Sequence, residues 1–371
     1  VGSRSNFVES DSAATSPGSL NINAGAFFVE EVSGSVTVGT LQVSSADLVL
    51  VVREDSTNNN NLIIPNDSRV SATGDGQIEL IAGDNITLAP NALLESSTSI
   101  NIYADATPVW HGQSDLDQFY GTNVLLQGAI NSAQGTRLVT GHDEDNILLS
   151  PTSISGEFDV ASGAADDGIQ LIHLPTLAST VYLDGEGGTD LYEVTFAVQN
   201  HPSNYLVDIH DSGDLDDGED RLILHGTSDA DTFLSRERFI ARLHLDAEGT
   251  PRSDVERINY DETINSRLIV QGYDGDDQFY SDDNSSITTF DGGSGNDFFQ
   301  VGQVFGENPN NFDVSGVHEQ DAISVSQITR GWLSKGNSFP LTIYGGAGDD
   351  TLIIEDSLIN RGIFSDVTEL Q

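Results

Sequence analysis

The stretch Gly345-Gly346-Ala347-Gly348-Asp349-Asp350-Thr351-Leu352 decides how this chain is read. Glycines at its first, second and fourth places permit positive φ and leave carbonyls open. Asp350 at the sixth place supplies a hard anionic oxygen, and Leu352 anchors the strand that follows. Gly292-Gly293-Ser294-Gly295-Asn296-Asp297-Phe298-Phe299 repeats the arrangement, so both stretches match the pattern G-G-x-G-x-D-x-U, with U a large apolar residue. Looser copies keep the Asp and the apolar residue two places later: residues 272–279 with Gly275 and Asp277, 185–192 with Asp190, 226–233 with Asp231, 112–119 with Asp117, and 141–147 with Asp145. Weaker copies end at Asp167 with Ile169 and at Asp220 with Leu222. Carboxylate and carbonyl oxygens in such turns make them candidate Ca²⁺ sites, with Gly275, Gly293, Gly295, Gly346 and Gly348 shaping the backbone beside the carboxylates.

Between the turns, helix signals are nearly absent, and short runs with apolar residues at alternate places recur between Gly, Asp, Asn or Ser. Examples begin at Val36, Leu48, Ile78, Ile86, Ile100, Val181, Leu222, Leu268 and Leu341. The spacing from Ile78 to Ile100 and from Asp145 to Asp167 is 22 residues, from Asp167 to Asp190 it is 23, and from Asp277 to Asp297 it is 20. Asp190 to Asp231 at 41 and Asp231 to Asp277 at 46 read as two such periods each. A quasi-period near 22 predicts an all-β parallel β-helix or β-solenoid, in which each coil stacks only on its neighbours and a sandwich-like insertion is accommodated. Two or three sandwich domains are the competing all-β arrangement.

Composition narrows the function. Against 59 acidic residues stand 14 basic ones, of which only Lys335 is a lysine, for a formal charge of -45. No basic face can be assembled for phosphates, which excludes nucleic acid as a partner. About eight turns with one ion each would offset roughly 16 charges, so most of the acid belongs to a solvated surface that repels itself when cations are removed. The absence of cysteine fits a secreted protein that does without disulfides. A chain without methionine that begins at Val1 is expected to be a processed form or a piece of something longer. No stretch approaches the roughly 20 apolar residues of a membrane span and none opens the chain as a signal peptide, so membrane insertion is not expected and export would use a signal removed or lying elsewhere.

Gly83-Asp84-Asn85-Ile86-Thr87-Leu88-Ala89-Pro90-Asn91-Ala92-Leu93-Leu94, followed by Ser99-Ile100-Asn101-Ile102, resembles the coils of filamentous-haemagglutinin-type adhesins. That resemblance implies a right-handed parallel β-helix over about residues 20–105, with Asn58 to Asn61 either a loop bulging from one coil or part of an asparagine ladder. From about residue 112 to 352 the chain resembles the repeats-in-toxin (RTX) family of secreted bacterial proteins. There the resemblance implies turns stacked along one side of the coil that share Ca²⁺ through the sixth-position Asp, here Asp297, Asp350, Asp277, Asp190, Asp231, Asp117 and Asp145. The chain departs from the family in one respect: family members run the repeat in tandem, whereas these copies lie 20 to 53 residues apart. Family-type sites need a turn directly above or below, so isolated copies are expected to hold calcium incompletely or to use loop carboxylates instead, for which Asp216, Asp217, Asp282 and Asp283 are candidates, with Asp115, Asp143 and Asp229 supplying a side-chain oxygen at fourth places. The two resemblances divide the chain into an adhesin-like segment, residues 1–108, and a calcium-binding segment, residues 109–371.

Catalytic signals are weak. The only His-Glu pair, His318-Glu319, lacks the second histidine of a zincin helix, no G-x-S-x-G elbow occurs, and His210 beside Asp208 and Asp211 reads as a strand histidine. The basic cluster from Arg330 to Lys335 around Trp332 reads as a loop covering a coil end, or as a contact to an acidic patch of another copy. These features together predict a non-enzymatic, extracellular or cell-surface structural protein: a calcium-stabilised segment of a large adhesin or matrix fibre. Its expected partners are further solenoid segments or copies of itself, since no capping helix is legible at either end and uncapped coils invite head-to-tail filaments. Alternatives from other classes are a calcium-dependent carbohydrate-binding module using Tyr120, Phe279, Tyr280 or Trp110, which would make polysaccharide a partner, and a polysaccharide lyase or epimerase.

Overall fold

Alternating apolar residues, many of them β-branched, favour extended chain because every second side chain then reaches one face of a sheet. The computed structural model describes residues 2–3, 7–10, 19–54, 60–106, 120–198, 203–214, 217–246, 251–302 and 337–354. Among these the protein is all-β, without a helix and hence without one long and apolar enough to cross a membrane, and the apolar runs named above all lie in strands. The chain forms two compact units: Val1–Asp190 with Asp211–Gly218, and Leu191–His210 with Glu219–Gln371. The sequence division at residues 108/109 falls inside the first.

In the first unit, one parallel sheet runs through β1 (Val8–Ser10), β3 (Phe27–Glu31), β5 (Leu48–Val52), β8 (Ile78–Ala82), β11 (Ser99–Ala104), β14 (Gly135–Val139), β17 (Phe158–Ala161) and β19 (Thr180–Asp184). A second joins β6 (Leu62–Ile64), β9 (Ile86–Leu88), β12 (Asn123–Leu126), β15 (Asn146–Leu149) and β18 (Gly168–Ile172). A third joins β2 (Leu20–Ala24), β4 (Val36–Val43), β7 (Arg69–Ala72), β10 (Leu93–Ser96), β13 (Ala129–Ser132) and β16 (Ser153–Ser155). The long β4 serves two sheets: Val36 and Thr37 pair with β6, and Thr40 to Val43 pair with β7. From β6 to β17 the chain visits the three sheets in rotation. Residues 83–102, which carried the adhesin resemblance, supply one such turn as β9, β10 and β11. Register follows the predicted period, with Ile78 paired to Ile100. Leu48, Leu50, Ile78, Leu80, Ile100 and Ile102 are fully buried along the stack.

The second unit alternates between two sheets. One holds β20 (Leu191–Thr195), β22 (Arg221–His225), β26 (Arg267–Gln271), β28 (Thr288–Asp291) and β30 (Leu341–Tyr344). The other holds β21 (Tyr205–Ile209), β25 (Pro251–Asn259), β24 (Phe239–Leu245), β23 (Thr232–Arg236), β27 (Gln278–Ser281), β29 (Phe298–Val301) and β31 (Thr351–Ile354). The described insertion is an antiparallel hairpin rather than a sandwich: β24 runs antiparallel to both β23 and β25. It corrects the spacing argument, because β23 pairs directly with β27 and Asp231 therefore neighbours Asp277 across one coil, not two. Asp297 and Asp350, 53 residues apart, are likewise direct neighbours. Inside, Phe279 stacks on Phe299 at 4.9 Å, on Phe290 at 5.3 Å and on Phe233 at 5.1 Å between ring centroids.

Candidate metal-binding turns

Five turns share one backbone conformation. Counting each ladder Asp as the sixth place, the second and fourth places have positive φ at Gly163 and Ala165, Glu186 and Gly188, Tyr273 and Gly275, Gly293 and Gly295, and Gly346 and Gly348. At Gly295 and Gly348 glycine is imposed by stacking as well as by φ: a β-carbon on Gly295 would lie 1.7 Å from the Gly275 carbonyl oxygen, and one on Gly348 would lie 1.6 Å from that of Gly295, whereas the Asp167 turn carries Ala165 at this place. The turns hydrogen-bond to one another, the Ser294 N–H donating to the Tyr273 carbonyl at 2.6 Å and the Ala347 N–H to that of Gly293 at 2.8 Å. Copies that are isolated in sequence are thus stacked in space, each with the neighbouring turn that the sequence spacing put in doubt.

The sixth-position carboxylates face inward and form a ladder in each unit. In the second, the N–H of Asp231 donates to Asp277 Oδ1 at 2.7 Å, that of Asp277 to Asp297 Oδ1 at 2.9 Å, and that of Asp297 to Asp350 Oδ1 at 3.0 Å. In the first, Thr122 donates to Asp145 Oδ1 at 2.6 Å, Asp145 to Asp167 at 2.7 Å, and Asp167 to Asp190 at 2.7 Å. One carboxylate oxygen thus satisfies a backbone donor of the preceding coil. The other is left over, since Oδ2 of Asp277 and of Asp297 is buried without a hydrogen-bond partner. Burial pushes Asp145 up to about 6, Asp167 up to about 8 and Asp277 up to about 7, and raises Asp297.

The donor set fits a hard cation. Lacking a side chain, Gly292 lets two oxygens close on one point: a β-carbon there would lie 2.2 Å from Asp297 Oδ2 and 2.8 Å from the Gly345 carbonyl oxygen. At Gly272 the equivalent distances are 2.1 Å to Asp277 Oδ2 and 2.7 Å to the Gly292 carbonyl oxygen. Carboxylate and carbonyl oxygens are the ligands Ca²⁺ takes, and an unpartnered buried carboxylate oxygen is the atom a cation would satisfy.

The remaining nominated residues divide. Asp350, half-buried, is the last described rung. Asp145 belongs to a different turn, without positive φ at Gly141 or Asp143, where the Gly141 N–H caps Oδ2 at 3.1 Å. Asp229 is exposed, and its turn is likewise without positive φ at the second and fourth places. Asp117, Asp115, Asp216, Trp110, His318 and Trp332 lie outside the described residues. Thr122, not an Asp, precedes Asp145 on its ladder. Asp220 donates its N–H to Asn265 Oδ1 at 2.9 Å. Asp217 is exposed. Asp283 Oδ1 accepts the Ser338 N–H at 2.7 Å, and Asp282 faces buried Arg236 at 3.9 Å.

Asp231 is the rung that sequence reasoning misread most, because Arg242 Nε donates to its Oδ1 at 2.7 Å and both side chains are buried. A signal for this existed: residues 232–259 hold five arginines, Arg236, Arg238, Arg242, Arg252 and Arg257, against the two basic residues, Arg330 and Lys335, that flank Trp332. Asn61 belongs to an asparagine ladder, its Oδ1 accepting from Asn85 Nδ2 at 2.7 Å, and Asn85 Oδ1 in turn accepts the Asn123 N–H at 2.7 Å. Of the aromatic candidates, Phe279 is buried in the core, Tyr280 is half-buried with its hydroxyl donating to Gln278 at 3.0 Å, and Tyr120 is exposed. His210 is exposed and sits 3.0 Å from Asp261 Oδ2. No family model, no curated protein and no solved structure matches this chain.

Proposed function

We propose that this chain is an extracellular structural segment, a calcium-stabilised β-solenoid within a large surface adhesin or matrix fibre, akin to RTX proteins over its later part and to filamentous-haemagglutinin coils over its earlier part. The observation that carries the reading is the inward ladder Asp231–Asp277–Asp297–Asp350, with Oδ2 of Asp277 and Asp297 buried and unpartnered beside glycine carbonyls. Asp277, Asp297 and, in the first unit, Asp167 and Asp190 are the residues that would hold the ion. Bound Ca²⁺ would supply positive charge between facing carboxylates. The chain's own part is to place one carboxylate oxygen on a backbone donor and to turn the other toward the next turn. Outside the cell, affinities of about 10⁻⁴ to 10⁻³ M suffice, so coils close after export and stay open where calcium is scarce. Native mass spectrometry with light scattering, on protein dialysed against EGTA and then titrated with Ca²⁺, tests this. Several ions bound with a gain in order support the reading, a concurrent rise in mass adds head-to-tail assembly, and no bound ion overturns it.

The carbohydrate-binding reading has one observation in its favour. Tyr273, on a ladder turn, is 45% exposed and stacked on His225. EGTA-sensitive binding on a glycan array, lost in Tyr273→Ala, would support it; no bound glycan would remove it.

A further inference from the structure

Arg242 lies on the inserted hairpin and is buried, as are both of its acidic partners. Its Nε donates to Asp231 Oδ1 at 2.7 Å, and its Nη1 donates to Glu256 Oε2 at 2.7 Å and to the Ala197 carbonyl at 2.6 Å. Glu256 Oε1 accepts the Ala197 N–H at 3.0 Å, which fixes the second carboxylate. Two carboxylates and a carbonyl therefore converge on one cation from three separate parts of the chain, Asp231 just before β23, Glu256 in β25 and Ala197 just after β20. Among the described residues neither Asp277 nor Asp297 has an ion pair, so of these three rungs Asp231 alone is in direct contact with a cationic side chain. The hard-oxygen set around Arg242 is also the set a divalent cation selects. A guanidinium meets it with directed donors instead, holds its charge at every working pH, and is less strongly hydrated than an ammonium, which suits burial.

We propose that the Asp231 rung is a cation site filled from within: the Arg242 guanidinium does for Asp231 and Glu256 what a divalent ion would do for Asp277 and Asp297, so that β23, β24 and β25 order without metal. The proposal rests on the calcium reading above for the rungs that lack an arginine. Its consequence is a division of labour inside the second unit. The hairpin segment is folded at any calcium concentration and presents β23 as a ready parallel edge, on which β27 and then β29 stack once their carboxylates are neutralised. Asp231 is thereby removed from the set of calcium ligands.

Hydrogen exchange on the full chain, in EGTA and in Ca²⁺, tests this. Peptides from residues 232–259 should exchange at rates within about twofold of each other in the two conditions, while peptides from β27 and β29 exchange at least about tenfold faster in EGTA. If residues 232–259 are as calcium-sensitive as β27 and β29, the proposal is overturned while the calcium reading stands. If no peptide responds and native mass spectrometry finds no ion, both fall. Arg242→Ala opens the oxygen set and should bind one more Ca²⁺ per chain than the unsubstituted protein, with protection of residues 232–259 becoming calcium-dependent; Arg242→Lys should bind no extra ion. An Arg242→Ala protein that folds and gains no ion overturns the proposal. Should that variant not fold, the exchange pattern of the unsubstituted chain decides.

Discussion

The backbone N–H of Asp277 donates to the Oδ1 of Asp297, 20 residues further along the chain, at 2.9 Å. One carboxylate oxygen thereby takes the place of a backbone acceptor, while its twin, Oδ2, is enclosed without a partner. Each rung thus trades a satisfied donor for a buried charge, and the first prediction concerns how that charge is managed.

Burial pushes Asp277 up to about 7 and Asp167 up to about 8 in the folded chain, from an ordinary carboxyl value of 3.8. A raised folded pKa means the folded state binds protons more tightly, so the contribution is fully present below about pH 4 and is lost as pH rises through about 7 to 8. In EGTA the melting temperature should therefore be higher at pH 5 than at pH 8. Calcium, by supplying the missing positive charge, should shrink that difference. Equal melting at the two pH values in EGTA would show that the ladder carboxylates do not titrate with folding.

Asp297→Asn keeps an acceptor for the Asp277 N–H and removes the buried charge, so its effect should change sign with metal. In EGTA the variant should be more stable than the unsubstituted protein; in Ca²⁺ it should be less stable and bind fewer ions. Asp297→Ala also strands the Asp277 N–H and should cost about 1–3 kcal/mol in both conditions. Paired denaturation curves with and without calcium make the comparison.

At the fourth turn position, Gly295→Ala places a methyl against the Gly275 carbonyl in a left-handed conformation, φ 150°. A loss of at least about 2 kcal/mol is expected. Tyr273, at φ 76° in a second position, already carries such strain, so Tyr273→Gly should not destabilise. Urea unfolding of both variants separates the two positions.

Phe279 stacks on Phe233, Phe290 and Phe299 in the core of the second unit. Phe279→Ala should cost about 3–5 kcal/mol, with the calcium stoichiometry of the remaining folded fraction unchanged. A loss as small as that of a surface substitution would mean that the aromatic stack is not what joins these coils.

Much of the fold was legible because strand pairing at a fixed period leaves a fixed trace. Ile78 and Ile100, or Asp145 and Asp167, recur at the interval of one coil, and the coil interior demands apolar residues at the same two or three places each time. Asp167 shows the limit of motif matching. It is a full ladder member, yet Ser162-Gly163-Ala164-Ala165-Asp166-Asp167 reads as a weak copy because alanine stands at the positive-φ fourth place. Backbone shape, not glycine count, defines the turn.

By itself the sequence determined the all-β architecture, the parallel stacking and the recurrence that brings Asp277, Asp297 and Asp350 onto one line, since each of these follows from local residue type and spacing. Only the tertiary structure decided which turns are neighbours and which charges meet. The 46-residue separation of Asp231 and Asp277 reads as two coils, but β24 and β25 are inserted into the sheet between β21 and β23, so one coil carries the extra length. Arg242, 11 residues from Asp231 along the chain, reaches it only because β24 folds back antiparallel on β23. Pairing between a side chain and a carboxylate depends on where two strands come to lie, and that position is set by packing across the whole sheet, which no local pattern encodes.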